Sequence, residues 1–231
     1  MKKFIFYAIV CSAASFMCNP VEAAKPKVIP TITHSEAQRA AASKKLAKMG
    51  IQAERYIEEL FYAIMKSDVN LCKLIVSTGV NVNRVVSRDV VVKKYESELI
   101  DFNGHGRGAF LLHYAAKKGN AEIVKILLQA GASPNVGIHY EHDSHMTGPL
   151  PLNVAVQENH VDCVKILLSA GSRVDYGDCG APYAFPLYEA ISNGNCEMVR
   201  ILASAAADNY YYHVAGTPLW SALSKNKMEC A

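Results

Sequence analysis

Four stretches of this chain are versions of one another, and that self-similarity restricts the fold more than any other feature. Leu60 begins LFYAIMKSDVNLCKLIVSTGVNVN, Leu112 begins LHYAAKKGNAEIVKILLQAGASPN, Leu152 begins LNVAVQENHVDCVKILLSAGSRVD, and Leu187 begins LYEAISNGNCEMVRILASAAADNY. The copies fall near 60–83, 112–135, 152–175 and 187–210, and a partial fifth opens at Leu219 and runs to 231. In each full copy Leu is followed by Ala at +3, a small or polar residue at +7, apolar residues at +11, +12 and +15, and Gly or Ala at +19. Such a chain folds as a row of units, each touching its neighbours, rather than around one central core.

Within a unit the spacing predicts two short antiparallel helices. The first apolar set fits one helical face, and the breakers Ser67, Gly119, Asn159 and Gly194 mark the turn. The second helix carries the wider stripe: Ile123, Val124, Ile126, Leu127 and Leu128 in one copy correspond to Cys163, Val164, Ile166, Leu167 and Leu168 in the next. One hairpin alone cannot bury such a stripe. Stacking removes it from water, at roughly 25 cal/mol per Å² of apolar area. Gly79, Gly131 and Gly171 stand where a left-handed residue ends the second helix without a Cβ penalty; Ala206 takes that place in the fourth copy.

These residues resemble the ankyrin repeat family, whose pattern runs T-P-L-H-x-A-A, G-H or G-N, V-x-x-L-L, then G-A and a closing Asn or Asp. Leu112-His113-Tyr114-Ala115-Ala116, Gly131-Ala132 and Asn135 carry the resemblance, and Gly216-Thr217-Pro218-Leu219 repeats its opening turn. Pro151 and Pro186 stand at the first helical position, where a fixed φ is harmless. His113 and His160 fall where the family places structural histidines. The resemblance implies an all-α, ankyrin-type solenoid of stacked helix-turn-helix repeats over 60–231. The starting Leu residues are separated by 52, 40, 35 and 32 residues, against about 33 in the family, so the excess forms β-hairpin or finger loop insertions between helical pairs.

Insertions of this kind are where function concentrates. The longest, Arg84 to Phe110, holds Val85-Val86 and Val90-Val91-Val92 before Lys93, Lys94 and Tyr95, a β-prone stretch expected as an extended finger. Gly104-His105-Gly106-Arg107-Gly108 superficially resembles a phosphate loop but lacks the preceding strand and the G-x-G-x-x-G spacing. The second insertion, Val136 to Leu150, sets His139, His142 and His145 among Glu141 and Asp143. Either this is a solvated polar loop, or its imidazoles and carboxylates bind zinc or copper. The alternative function is therefore a metal-binding or hydrolytic protein using this loop on an ankyrin scaffold.

The region ahead of the repeats divides into three. Lys2 and Lys3 precede the apolar run Phe4 to Met17, and Val21-Glu22-Ala23 before Ala24 offers a small-x-small cleavage pattern, so 1–23 is read as a signal peptide. A membrane anchor would need roughly 20 apolar residues; a lipid anchor at Cys18 would follow the bulky Ser15-Phe16-Met17. Residues 24–34 read as an extended leader with Pro26 and Pro30, and 35–59 as capping helices opened by the capping box Ser35-Glu36-Ala37-Gln38 and broken at Gly50. The protein is expected to be exported, periplasmic or secreted, without a membrane span after cleavage, and monomeric. The five remaining cysteines, Cys72, Cys163, Cys179, Cys196 and Cys230, form no C-x-x-C pair, and most are expected to be small buried apolar residues.

Composition enters at the question of partners. Hydrophobic residues make up 51% of the 231-residue chain and charged residues 19%, which excludes a disordered chain. Residues 24–59 carry seven Lys or Arg against four Asp or Glu, whereas the repeats carry 15 against 16; a nucleic-acid role would need a basic face on the array. No nucleophile elbow, H-E-x-x-H helix or kinase signature is present. The expectation is thus a protein-protein interaction module, not an enzyme and without a cofactor, acting as a periplasmic protector or inhibitor, or as a secreted effector. In the family register the variable first-helix residues point to a concave surface: Tyr62, Met65 and Lys66; Tyr114, Lys117 and Lys118; Gln157 and Glu158; Glu189. Tyr211 in the last loop extends the set. Either the tyrosines are exposed hot spots, as amphipathic aromatics often are, or they pack against neighbouring turns. Cys230 aligns with Ile123 and Cys163, so the fifth copy holds one helix and the beginning of another, and how that end of the stack is closed is left open.

Overall fold

Ser35 opens the first helix, α1 (Glu36–Lys48), by accepting from the Gln38 N–H while the Gln38 side chain accepts from the Ser35 N–H. In this computed structural model, which describes residues 29–95, 108–137, 148–174 and 186–205, α1 is followed by a 3-10 turn, Ala53–Arg55, and then by paired helices. The pairs begin with α2 (Tyr56–Met65) and α3 (Val69–Val76). An insertion follows with β1 (Val85–Ser87), α4 (Arg88–Tyr95) and β2 (Gly108–Phe110). Next come α5 (Leu111–Lys118) with α6 (Ala121–Gln129), α7 (Pro151–Gln157) with α8 (Val161–Ser169), and α9 (Pro186–Asn193) with α10 (Cys196–Ala205).

The turn inside each pair is built the same way. Ser67, Gly119, Asn159 and Gly194 all have positive φ, at 56°, 71°, 62° and 68°. The chain then folds back: the Asp68 N–H donates to the Ala63 carbonyl at 2.8 Å, and the His160 N–H to the Ala155 carbonyl at 2.8 Å, satisfying carbonyls that the helix end would leave orphaned. Asp68, Asn120 and Asn195 next cap the second helices by accepting from Leu71, Ile123 and Met198. His160 stands at the corresponding position but turns its ring away, so that Nε2 meets the Lys117 carbonyl at 3.0 Å. That choice requires Gly119, because a Cβ there would lie 2.5 Å from the His160 ring.

The pairs stack into two layers. First helices α2, α5, α7 and α9 lie side by side, and second helices α3, α6, α8 and α10 form the other layer. Leu60, Leu112, Leu152 and Leu187, with the second-helix stripe, make one apolar core running through the array. Gly79, Gly131 and Gly171 end the second helices at φ 81°, 89° and 84°. Asparagine side chains tie the ends of neighbouring units: Asn83 Nδ2 donates to the Gly131 carbonyl at 2.8 Å and its Oδ1 accepts from the Ser133 N–H at 2.9 Å. Asn135 repeats this on Gly171 and Arg173, at 3.0 and 2.8 Å. Lys73–Glu122 and Lys165–Glu197 cross the second layer as exposed ion pairs and contribute little stability.

At the N-terminal end α1 lies against α3, burying Ala42 and Leu46, with Arg39 close to Gly79. The segment ahead of it reaches further, since the Ile32 N–H donates to the Gln129 carbonyl at the end of α6. Cys72 and Cys163 are buried free thiols; burial, with nearby Asp68 and Asp162 respectively, pushes them up to about 12 and about 11. They are packing residues rather than nucleophiles. Cys196 is disulfide-bonded, and Cys179 and Cys230 lie outside the described residues.

The first insertion corrects the expectation of an extended finger. Among its described residues only the base is extended: β1 and β2 pair antiparallel with Val85 opposite Phe110, Val86 opposite Ala109 and Ser87 opposite Gly108. The valine-rich stretch from Arg88 to Tyr95 is a helix instead. Local β propensity is a weak preference that tertiary packing overrides. Helical spacing puts Val91, fully buried, and Tyr95, half-buried, one turn apart on the same side. A strand would send residues four apart to the same face about 13 Å from each other, too far to meet one cluster.

Candidate partner-binding face

The variable first-helix positions divide into a floor and a rim. Tyr62, Tyr114 and Val154 occupy the position two residues after the starting Leu in the first three copies, where the fourth has Glu189; Tyr62 is half-buried, while Tyr114 and Val154 are buried. Tyr114 is 0% exposed, which corrects its expected role as an exposed hot spot and is what the alternative, packing against neighbours, requires. Its ring meets Phe61 edge-on, with centroids 4.9 Å apart. Phe61 also contacts Tyr62 at 5.5 Å and Tyr95 at 5.8 Å, and Tyr62 lies 6.1 Å from Tyr95. Four rings from α2, α4 and α5 therefore form one cluster, in the edge and tilted arrangements that aromatic quadrupoles favour. Burial, then Glu58 and Glu59, raises the Tyr62 phenol above its ordinary range.

Met65 is likewise buried, at 6% exposure, and is floor rather than contact surface. The rim is polar. Lys66, Gln157 and Glu158 are exposed, and Lys117, Lys118 and Glu189 are half-buried. All but Glu189, which stands in the first turn of α9, lie where the first helices end, on elements whose spacing is set by the core. Basic groups gather on α5 and the end of α2, while Glu158 and Glu189 lie on the α7 and α9 side. Tyr211, His139, His142 and His145 lie outside the described residues. Among the described residues no cluster of three or more His, Cys, Asp or Glu side chains is placed to hold a metal ion. None of their helices is long and apolar enough to cross a membrane.

His113 and His160 act inside the fold. His113 is buried, stacks on Phe110 at 5.9 Å and has Nε2 3.0 Å from the Pro149 carbonyl. Burial lowers its pKa to about 4, against the pull of backbone hydrogen bonds, so it is neutral near pH 7. Phe61 and Tyr95 are the residues that the reading of the first-helix pattern left out. Their signal was available: Phe61 follows a starting Leu where His113 stands in the next copy, and Tyr95 follows Val91 by four.

Paired helices, left-handed turns, asparagine bridges and a polar rim define a solenoid repeat protein. The chain belongs to the ankyrin repeat family: the family model described as Ankyrin repeats (3 copies) matches residues 39–138, 60–178 and 152–231. No curated protein matches it. Membership marks it as a protein-protein interaction module, in a family of generally non-enzymatic scaffolds.

Proposed function

We propose that this protein is an exported ankyrin module that binds a partner protein across its first-helix face by recognition, with no covalent chemistry. The observation that carries the reading is the rim: Lys66 at the end of α2, and Gln157 and Glu158 at the end of α7, are exposed side chains on the same layer of helices, with α5 packed between them. Such a surface binds with little ordering of its own backbone, so contact energy is not lost to conformational entropy. The charge distribution supports a partner segment that is acidic where it meets Lys66, Lys117 and Lys118 and basic where it meets Glu158 and Glu189.

Export is supported by the Lys2-Lys3 and Phe4–Met17 pattern before Ala24 and by the disulfide at Cys196, which suits an oxidising compartment. Acting there as a protector or inhibitor of another protein, or as a secreted effector, requires only binding. Expression with the native N-terminus tests export and capture together. The exported fraction should contain a chain beginning at Ala24 by intact mass, and crosslinking should join rim lysines to one stoichiometric protein. An uncleaved chain retained in the cytoplasm would refute export; crosslinks confined to α6 and α8 would refute the face.

A further inference from the structure

The first-helix face already has an occupant over its first repeat. Helix α4 leaves the array through the short ladder of β1 with β2 and returns Tyr95 to Phe61 and Tyr62. Phe61 passes the contact on to Tyr114. Val91, one turn earlier, is buried in the continuous core. A short helix thus lies against the repeats with an aliphatic and an aromatic side chain spaced i, i+4, which is how an amphipathic peptide helix docks in a groove.

Resting on the reading of this face as the partner site, we propose that α4 is an internal ligand: it fills the place where the partner inserts a helix with a Tyr or Phe anchor, and the partner displaces it. Two observations make α4 displaceable where α2 and α5 are not. Its base is a ladder of only three residue pairs. Its anchor Tyr95 is half-buried, whereas Phe61 and Tyr114 are fully buried with α4 in place, so Tyr95 is the less deeply seated member of the ring cluster. Opening α4 exposes Tyr62 and the edge of Phe61, an aromatic surface suited to an incoming ring. The rim charges then orient the entering helix.

Hydrogen exchange on the intact chain tests this without a partner. The α4 amides should exchange at least about 100-fold faster than those of α5 and α6, because α4 opens while the array stays folded. Tyr95→Ala should raise α4 exchange by about tenfold and leave α5 and α6 unchanged. A capped synthetic peptide of residues 88–95 supplies the second arm: in fluorescence anisotropy it should bind the Tyr95→Ala protein at least about tenfold tighter than wild type. A peptide with Ala in place of Tyr95 should not bind. Exchange of α4 at the rate of α5, or equal or no saturable binding of the peptide to both proteins, overturns the proposal and makes α4 a fixed wall. Loss of partner capture on altering Lys66, Gln157 and Glu158 would still uphold the face reading, so the two failures are distinguishable.

Discussion

At the residue scale, burial turns candidate contacts into structural ones. Tyr114→Ala should destabilise the protein by about 3–4 kcal/mol in chemical denaturation, the range for removing a large buried ring, because its neighbours Phe61 and the α5 backbone cannot close the space. A near-neutral result would place Tyr114 at the surface. His113 makes the pH dependence explicit. Its folded pKa is lowered to about 4, below the roughly 6.5 of an unfolded chain, so the unfolded state binds the proton more readily. Its contribution is fully present above about pH 6.5 and is lost as pH falls toward 4, amounting to about 2 kcal/mol between pH 7.5 and pH 5. Denaturation at the two pH values should show that decline in wild type and less of it in His113→Gln. The family pattern placed both residues on the right helix. It could not say that Tyr114 is covered, because its ring packs on Phe61 from another repeat, a long-range contact that no periodicity records.

At the element scale, the helical pairs were legible because each boundary has a local chemical cause: Asp68, Asn120 and Asn195 as caps, and Gly79, Gly131 and Gly171 as left-handed stops. Helix α4 was not, because three consecutive valines favour a strand locally, and the preference is overturned by Phe61 and Tyr62 some thirty residues earlier in sequence. The joints between units depend on single side chains. Asn83→Ala and Asn135→Ala each remove a bridge that donates to one carbonyl and accepts from one N–H. Each should cost about 1–2 kcal/mol, and the double variant should be close to the sum because the bridges lie at different interfaces. Equilibrium denaturation of the three variants decides this; a neutral Asn135→Ala would mean that apolar stacking alone sets that joint.

At the scale of the whole molecule, stability is distributed along the stack while the proposed recognition surface is gathered on one face. Each unit contributes its own hairpin and an interface to the next, so rim residues can vary without disturbing the core that spaces them. The central claim is that the first-helix rim, and not the second-helix layer, contacts the partner. The most direct measurement is the affinity of the captured partner for wild type, for a rim variant (Lys66→Glu, Gln157→Ala, Glu158→Lys) and for a second-layer variant (Lys125→Glu, Lys165→Glu), with melting temperatures alongside. A rim variant that binds at least about tenfold more weakly, corresponding to about 1.4 kcal/mol, with unchanged melting and a second-layer variant that binds like wild type, is the predicted result. The reverse pattern, or equal affinity for all three, would contradict it.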